Sequence, residues 1–348
     1  MPSLLRKSLP FGWNTVQLVA WFPGDKNHNH PPRHWIQIVW RYLGKHFTTS
    51  KALESLEGLP LIPLNMSQTP VTLTQLSHPS KVVVKRLNWE CIDEPLSEVL
   101  KKIGVLVLHD CPGFLSQHPA VLGTYLNPPS IKGVLKAMVV CSYTMETFPK
   151  NIQEVSPKEK QILRSFLGNA RLEYVDKEEQ NLLYSLPLFQ TNFNTFVSRK
   201  EGLCAAPRDS LPIQPLRHLI DISDDASETL ARLLKVRILK PTELLCEVVF
   251  PDIQQGKYTD AHVDILMSHV FRHFAHVIHT DANFKGHLQV ISFVPKKTVR
   301  VRALEVFDPR SEYLQRLFSL EDVFPVGELY NDRAVLSILE ALGMKKDN

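Results

Sequence analysis

The sequence predicts a mixed α/β or α+β fold: two similar α/β lobes, followed by a C-terminal segment of strands and helices. Short motifs recur along the chain at a nearly constant offset, which indicates two copies of one unit. A continuous apolar run at 105–108 lies between two amphipathic helical patterns, an order typical of α/β units. The length of 348 residues is also that of two or three domains.

Four pairs of landmarks carry the predicted duplication, because they occur in the same order in both halves. The pairs are Leu59 and Leu186, which open Leu-Pro-Leu triplets, Gly44 and Gly168, Val105 and Val236, and Val134 and Ile265. The period is too long for a solenoid, whose repeats have about 20 to 50 residues. Since the matched residues are mostly apolar, composition alone could also produce the agreement.

The landmarks divide the chain into four predicted parts. These are an N-terminal segment of a longer repeat at 1–32, a first α/β unit at 33–150, a second α/β unit at 151–286, and C-terminal strands and helices at 287–348. The chain opens and closes with almost no polar tail, which suggests a piece of a longer protein.

In the first unit and the segment before it, helices are predicted where apolar residues recur every three or four positions. Strands are predicted where apolar residues alternate or run continuously. The predicted elements are a strand at 18–22, helices at 35–47 and 51–57, a hairpin of 59–64 with 71–76, a strand at 81–87, a helix at 94–103, a strand at 105–108 and a helix at 130–140.

The second unit opens with a helix-start signal. Ser156 is the predicted N-cap, Pro157 takes the first helical position, and Glu159 completes a capping box. The elements that follow are helices at 157–167 and 177–186, a buried turn at 186–188, a loop at 203–215, a helix at 227–234, strands at 236–239 and 243–249, and a helix at 261–279 capped by Asp260. The C-terminal segment adds strands at 288–294 and 298–307, a helix from Pro309 to 318 capped by Asp308, and a helix at 333–342.

Composition and charge argue against several classes of protein. The formal net charge of +4 is small for this length and argues against a dedicated nucleic-acid binder. No stretch approaches the roughly 18 apolar residues that span a bilayer, and the N-terminus makes a poor signal peptide. We therefore expect a soluble, cytoplasmic chain without membrane insertion. The five cysteines are widely spaced and form no Cys-x-x-Cys pair, which fits reduced, buried thiols.

A histidine-rich helix is the most specific candidate site. His262, His269, His273 and His276 fall on one stripe of the helix predicted at 261–279. His269 and His273 have the spacing by which one helix presents two zinc ligands, but the glutamate of the zinc-protease motif is absent and Arg272 stands inside the pair. Three interpretations remain open: imidazoles beside the core, a pH-responsive contact surface, and a metal site.

Other candidates are weaker. His28, His30 and His34 could hold a metal only with ligands from elsewhere, so a solvated loop is the simpler interpretation. Cys111 follows a predicted strand and is a conceivable nucleophile. Lys296, Arg300 and Arg302 could share one basic strand face that touches phosphate or an acidic partner, although a solvated face is the alternative.

Motifs for nucleotide binding and for nucleophilic catalysis do not occur in the sequence. It contains neither a glycine-rich phosphate loop nor a G-x-S-x-G elbow. No set of residues combines a nucleophile, a base and an oxyanion donor. We therefore assign no catalytic, cofactor-binding or metal-ligating residue, and the residues alone predict a non-catalytic α/β module.

Several strings resemble the repeat regions of the sacsin family. They are GLPLIPL at 58–64, LYSLPLFQT at 183–191, FDPRSEYLQRLFSLEDVFP at 307–325 and LSILEALGM at 336–344. The resemblance covers most of the chain. It implies a giant, cytoplasmic, chaperone-like protein with co-chaperone activity, links to mitochondria and the intermediate-filament cytoskeleton, and a role in neurodegeneration with ataxia.

The family's catalytic modules have no counterpart in this sequence. Its repeats each start with an ATPase-like domain, and its chain ends in a J-domain and a nucleotide-binding helical domain. None of their motifs occurs here, so the resemblance implies a part of a repeat that follows the ATPase-like domain. No catalytic residue is carried over.

The function predicted on these grounds is a non-catalytic structural and client- or partner-binding segment of a sacsin-type co-chaperone. The expected partners are other parts of the same giant chain, client proteins with intermediate-filament proteins among the candidates, and heat-shock chaperones, but no nucleic acid. The expected location is the cytoplasm, with association to mitochondria as a candidate. The alternative is a metal-dependent enzyme or metal-binding module that uses His269 and His273.

Overall fold

The protein has a mixed helix-and-strand fold in which helix predominates. The computed structural model describes residues 2–318 and 323–347. Helix accounts for 48% and strand for 13%, and the described sheets have only two or three strands, so the predicted α/β or α+β class is confirmed. Because such small sheets need other elements packed against them, the helices supply much of the core.

The α-helices are numbered along the chain. They are α1 (Pro2–Ser8), α2 (Trp35–His46), α3 (Ser50–Glu54), α4 (Glu94–Lys102), α5 (Gly113–Ser116), α6 (Ile131–Thr144), α7 (Phe148–Glu154), α8 (Pro157–Leu167), α9 (Lys177–Ser185), α10 (Asp225–Leu233), α11 (Pro241–Leu244), α12 (Phe250–Gln254), α13 (Asp260–Thr280), α14 (Ala282–Val290), α15 (Glu312–Leu317) and α16 (Arg333–Ala341). Single 3-10 turns occur at Leu172–Tyr174, Arg199–Glu201, Arg208–Ser210, Ala303–Glu305 and Glu328–Asn331.

The strands are short. They are β1 (Leu18–Trp21), β2 (Pro60–Pro63), β3 (Val71–Gln75), β4 (Val82–Val84), β5 (Arg86–Leu87), β6 (Glu90–Cys91), β7 (Leu106–Leu108), β8 (Phe189–Gln190), β9 (Phe196–Val197), β10 (Ala205–Ala206), β11 (Ile220–Asp221), β12 (Val294–Lys296) and β13 (Val299–Val301).

The chain divides into two compact units, Met1–Leu188 with Ser198–Lys200, and Phe189–Val197 with Glu201–Asn348. Each unit has a hydrophobic core of its own. The four sequence-predicted parts, with their bounds at 32, 150 and 286, stay predictions.

The first unit contains a three-stranded antiparallel sheet in the order β1-β3-β2. Its pairing confirms the strand predicted at 18–22 and the hairpin predicted between 59 and 76. Trp21 of β1, Leu73 of β3 and Trp40 of α2 are at most 1% exposed, and they belong to one core cluster.

A parallel pair, β4 and β7, forms a second small sheet in this unit, and α4 lies between the two strands in sequence. The Asn127 amide donates to the carbonyls of Ser80 (2.7 Å) and Val82 (3.1 Å), and the Asn127 backbone makes a parallel bridge to Val83. The strand predicted at 81–87 therefore divides, because β4 pairs with β7 while β5 turns back in a hairpin with β6.

The second unit begins with the hairpin β8–β9 and continues with the parallel pair β10–β11. A parallel bridge joins Ala205 to Ile238, so the strand predicted at 236–239 is reduced to one paired residue. The core of this unit is built from buried residues of α11, α12, α13, α14 and α16.

The strand predicted at 243–249 is wrong. There, α11, a π-helical turn at Leu245–Val249 and α12 form one continuous helical run. Pro241 takes a first-turn position, and the Glu243 carboxylate accepts the Lys240 N–H at 2.9 Å, which is a helix-start signal. The error has a physical reason: a short, continuous apolar run does not by itself distinguish a buried helix from a buried strand.

The strands predicted at 288–294 and 298–307 are too long. Helix α14 extends to Val290, because the Asp281 carboxylate accepts the N–H groups of Asn283 and Phe284 and starts a helix there. What remains is the antiparallel hairpin β12–β13, which turns at Lys297 with φ +52°.

Two predicted helix caps are also wrong. Thr259 caps α13 through its hydroxyl, and Asp260 instead forms an ion pair with Arg300. Ser311 caps α15, so the helix predicted from Pro309 begins at Glu312. The capping box at Ser156 is confirmed, since both of its hydrogen bonds are present.

The two Leu-Pro-Leu turns have the same backbone geometry. The Leu61 N–H donates to the Leu59 carbonyl at 2.9 Å, and the Leu188 N–H donates to the Leu186 carbonyl at the same distance. Such three-residue turns bend the chain sharply around the proline. All four leucines are at most 3% exposed, so the buried turn predicted at 186–188 is confirmed and the turn at 59–61 is buried as well.

Each turn also receives a donor from the first helix of its predicted copy. The indole N–H of Trp40, on α2, donates to the Leu61 carbonyl, and a guanidinium N–H of Arg164, on α8, donates to the Leu188 carbonyl at 2.8 Å. Trp40 lies four residues before Gly44, and Arg164 lies four residues before Gly168, the matching glycine of the second copy. Equivalent positions thus satisfy equivalent buried carbonyls with different side chains.

The order of elements also repeats when short insertions are left aside. First come α2 and α3, the hairpin β2–β3, strand β4, helix α4, strand β7 and helix α6. Later come α8 and α9, the hairpin β8–β9, strand β10, helix α10, the bridged segment at Ile238, and helix α13. Together with the equivalent hydrogen bonds, this order supports the duplication predicted from the sequence.

Leu188→Asp is expected to destabilise the protein by at least about 3 kcal/mol, because it puts a carboxylate into the site of a 1%-exposed leucine. Thermal unfolding followed by circular dichroism measures the effect. The matched control is Leu216→Asp at a side chain that is 43% exposed, which should unfold close to wild type. An unchanged melting temperature for Leu188→Asp would contradict this placement of the core.

Arg164→Met and Trp40→Phe should each cost about 1 to 3 kcal/mol, because each leaves a turn carbonyl in the core without its donor. Urea unfolding gives the free energy of each variant. Arg41→Met, at an exposed arginine on α2, is the control and should be nearly neutral. If only one of the two core variants is destabilised, the two turns do not depend on their donors in the same way.

Candidate partner-binding surfaces

An open apolar groove of about 260 Å³ lies on the first unit. The lining residues come from α1, α2 and the turn after α3. They are Leu5, Ile38, Val39, Tyr42, Leu43, Phe47 and Leu56. No polar surface lines the groove. Ile38 is 56% exposed and Tyr42 39% exposed, so a bound molecule could cover them.

Helix α2 creates the groove because it is apolar on two sides. Ile36, Trp40 and Leu43 are its buried residues, whereas Ile38 and Tyr42 are exposed on the other side. A helix that only closes its own core would carry polar residues there. Neither α1 nor α2 contains an acidic residue, and Arg41 is exposed beside Tyr42, so the helices that form the groove are basic.

Sequence reasoning missed the groove because it assigned these residues to the core. The helix at 35–47 is predicted from the apolar spacing of Trp35, Val39, Tyr42, Leu43 and Phe47. In the structure, Leu43 is buried together with Ile36 and Trp40, Val39 and Phe47 are half-buried against the core, and Tyr42 is exposed in the groove. The available signal was that α2 has more apolar residues than a single stripe can hold.

The histidine stripe lies on the surface of α13. His262, His273 and His276 are exposed and His269 is half-buried. The rings of His269 and His273 are 4.4 Å apart between centroids. Burial lowers the pKa of His269, and the neighbouring His273 and Arg272 lower it further, so protonation of His269 is disfavoured.

A metal at this pair would need further ligands. Among residues 2–318 and 323–347, no group of three or more His, Cys, Asp or Glu side chains is placed to hold an ion. Protein zinc sites use at least three protein ligands, whereas the pair supplies two.

The histidines of the early loop hold the loop together. His30 Nδ1 accepts the Phe22 N–H at 3.0 Å, and its ring packs against Trp13 and Phe22. His28 pairs with Asp25 at 2.7 Å. His34 is exposed. The sequence could not reveal these partners, because the loop must fold back before His30 meets Phe22.

The predicted basic strand face is wrong. The Arg300 side chain is only 12% exposed and pairs with Asp260 and with Asp264 at 3.0 Å. Arg302 pairs with Glu305 at 2.5 Å. Two of the three basic side chains therefore have acidic partners within the unit. Asp260 and Asp264 of α13 pair with Arg300, and Glu305 of the 3-10 turn after β13 pairs with Arg302.

Cys111 lacks the properties of a nucleophile. Burial raises the pKa of its thiol to about 11, and hydrogen bonds from Ser116 only partly offset this. The reactive thiolate is therefore a minor species at neutral pH.

The comparison with known proteins gives one match. Human sacsin is 29% identical to the chain over 346 residues, which is 95% of this chain and 7% of the length of sacsin. The chain is therefore similar to one segment of sacsin. It thus spans only a small part of its relative. No protein-family model matches the chain, and no solved structure matches it significantly.

The similarity to sacsin confirms the resemblance seen in the Leu-Pro-Leu and Asp-Pro strings, and the structure gives the second string a physical role. Asp308 accepts hydrogen bonds from Arg310 Nε (2.9 Å) and NH2 (2.7 Å), and Arg310 reaches Glu340 of α16 at 2.9 Å. Burial alone would raise the pKa of Asp308, but the bonds from Arg310 outweigh it and hold that pKa below its usual value. The motif thereby ties the segment at Asp308 to the last helix.

The described helices fall short of the length and apolarity of a membrane span. Over the described part of the chain, none is both long enough and apolar enough to cross a bilayer.

We expect zinc titrated into the protein to give no saturable heat at micromolar concentrations, because His269 and His273 lack a third ligand. Isothermal titration calorimetry of wild type, His273→Ala and the exposed-histidine control His34→Ala checks this. Binding of one zinc per chain that His273→Ala abolishes and His34→Ala preserves would instead support the metal-binding alternative.

Proposed function

We propose that this chain is a non-catalytic structural and client- or partner-binding segment of a sacsin-type co-chaperone. The observation that carries the proposal is the similarity to sacsin along 95% of the chain. The partners we propose are other parts of the same giant chain, client proteins, intermediate-filament proteins and heat-shock chaperones. The proposed location is the cytoplasm, with association to mitochondria.

The apolar groove is the proposed contact for clients. An unfolded client exposes leucine, isoleucine and phenylalanine side chains, which can cover Ile38 and Tyr42. The basic character of α1 and α2 favours clients in which such residues are flanked by acids. Because the groove carries no polar group, it selects apolar residues in general, as a chaperone surface must.

The groove is small enough for release as well as capture. Burial of one large apolar side chain contributes about 1.5 to 3 kcal/mol, so a groove of this size supports weak binding. Several such segments in one giant chain would hold a client by avidity rather than by one tight contact.

The chemistry of the described residues fits a role without catalysis. The thiol of Cys111 is protonated, and Arg300, Arg310 and His30 are engaged in structural contacts. The remaining candidate, a metal-dependent module on His269 and His273, is decided by the zinc titration.

We expect wild-type protein to slow the aggregation of a chemically unfolded model protein, and Ile38→Asp to lose most of this effect. The substitution puts a charge in the groove, where it repels apolar side chains, and Ile38 is exposed enough that the fold should persist. Light scattering measures aggregation, and fluorescence anisotropy of a labelled apolar peptide with acidic flanks measures binding.

The matched control is Ile265→Asp, at an isoleucine that is 50% exposed on α13 and outside the groove. It should behave like wild type in both assays. Equal activity of Ile38→Asp and wild type would exclude the groove as the client contact. Absence of any effect of the wild type on aggregation or peptide binding would contradict the proposed function itself.

A further inference from the structure

A second pocket, of about 350 Å³, lies on the second unit. It is placed where the parallel strands β10 and β11 end: Ala206 is the last residue of β10, Pro207 and Arg208 follow it, and Asp221 is the last residue of β11. The carboxyl ends of parallel strands are the common position of ligand sites in α/β folds. The volume is at the lower end of the range for small-molecule sites.

The pocket is built before any ligand arrives. Its floor includes Leu211, Leu219 and Leu244, all at most 7% exposed. The Asn192 amide donates to the Pro215 carbonyl at 2.9 Å and accepts the Leu219 N–H at 3.0 Å, which fixes the loop along one wall. Binding therefore loses little free energy to the ordering of loops and side chains around the pocket.

Arg208 presents a fixed donor to the pocket. Its Nε donates to Asp221 at 3.0 Å, and its NH2 donates to Asn194 Oδ1 at 3.1 Å and to the Thr191 carbonyl at 3.4 Å. Its NH1 group has no protein partner among the described residues. A guanidinium held on one edge and open on the other is suited to bind a carboxylate.

Asp209 presents the opposite charge. It is exposed, lines the same pocket, and has no ion pair or hydrogen bond within the described part of the chain. Asp221 is already matched by Arg208 and by the Ser223 hydroxyl at 2.6 Å. With two acids and one arginine in the lining, the pocket disfavours a dianion such as phosphate. It offers one cationic and one anionic contact beside an apolar floor.

We propose that this pocket binds a free α-amino acid with an uncharged side chain. The carboxylate of the amino acid accepts a hydrogen bond from Arg208 NH1, and its ammonium group donates to Asp209. Its side chain lies over Leu211, Leu219 and Leu244. This site is in a different unit from the apolar groove and does not depend on client binding. It would make the state of this segment responsive to a small metabolite.

The test uses calorimetry with the natural amino acids, and L-leucine as the first probe. We expect at least one member with an uncharged side chain to bind saturably at one per chain. Two analogues isolate the charges: 4-methylpentanoate lacks the ammonium group of leucine and isopentylamine lacks its carboxylate. Each should bind about tenfold more weakly than leucine, or worse, if both contacts are made.

The variants are chosen to preserve the fold. Arg208→Lys keeps a positive charge opposite Asp221 but loses the NH1 edge, and Asp209→Asn changes an exposed side chain. Both should weaken binding about tenfold or more, while Asp225→Asn, an exposed acid outside the pocket, should not. Melting curves verify folding, and Asp209→Asn remains informative if Arg208→Lys unfolds.

Three results would overturn the proposal. The first is that no natural amino acid binds. The second is that 4-methylpentanoate or inorganic phosphate binds as well as leucine, which would mean an anion site. The third is that binding occurs but is unaffected by Asp209→Asn, which would place the ligand elsewhere.

Discussion

The backbone carbonyls of the two Leu-Pro-Leu turns are the constraint on which much of the structure depends. A turn that buries leucines on both sides of a proline also buries polar backbone, and an unmatched carbonyl in a core is costly. Trp40 and Arg164 provide the donors from α2 and α8. Each helix is thereby tied to its turn, at the start of the hairpin β2–β3 in the first case and directly before the hairpin β8–β9 in the second.

Several polar side chains of the described residues make internal contacts of the same kind. Arg300 joins the hairpin β12–β13 to α13, Arg310 joins Asp308 to α16, and His30 closes the early loop on Phe22. From the sequence, Arg300 was a candidate for a basic face and His30 for a metal site. Arg300, Arg310 and His30 are thus engaged internally, whereas the apolar groove of the first unit and the pocket of the second remain open to other molecules.

Elements that depend on neighbouring residues were easier to predict from the sequence than elements that depend on tertiary contacts. The helix that starts at Ser156 was predicted correctly, because its cap, its proline and Glu159 all lie within one turn. The run at 243–249 was not, because its identity depends on what surrounds it. The groove was predicted only in part. The sequence shows that its residues are apolar, but packing around Trp40 decides which apolar side of α2 is buried and which stays exposed. The pocket was not predicted, because the loop at 206–221 forms its walls only after folding against Asn192, Asn194 and Leu244.

The sequence by itself determined the fold class, the recurrence of the Leu-Pro-Leu turns, the sacsin-like motifs and the helix start at Ser156. These depend on composition, periodicity and contacts a few residues apart. Only the tertiary structure decided which apolar residues stay exposed, which charges are neutralised, and where two parallel strands end beside the same loop. Those properties are set by contacts between distant residues, and a linear pattern carries no direct record of them.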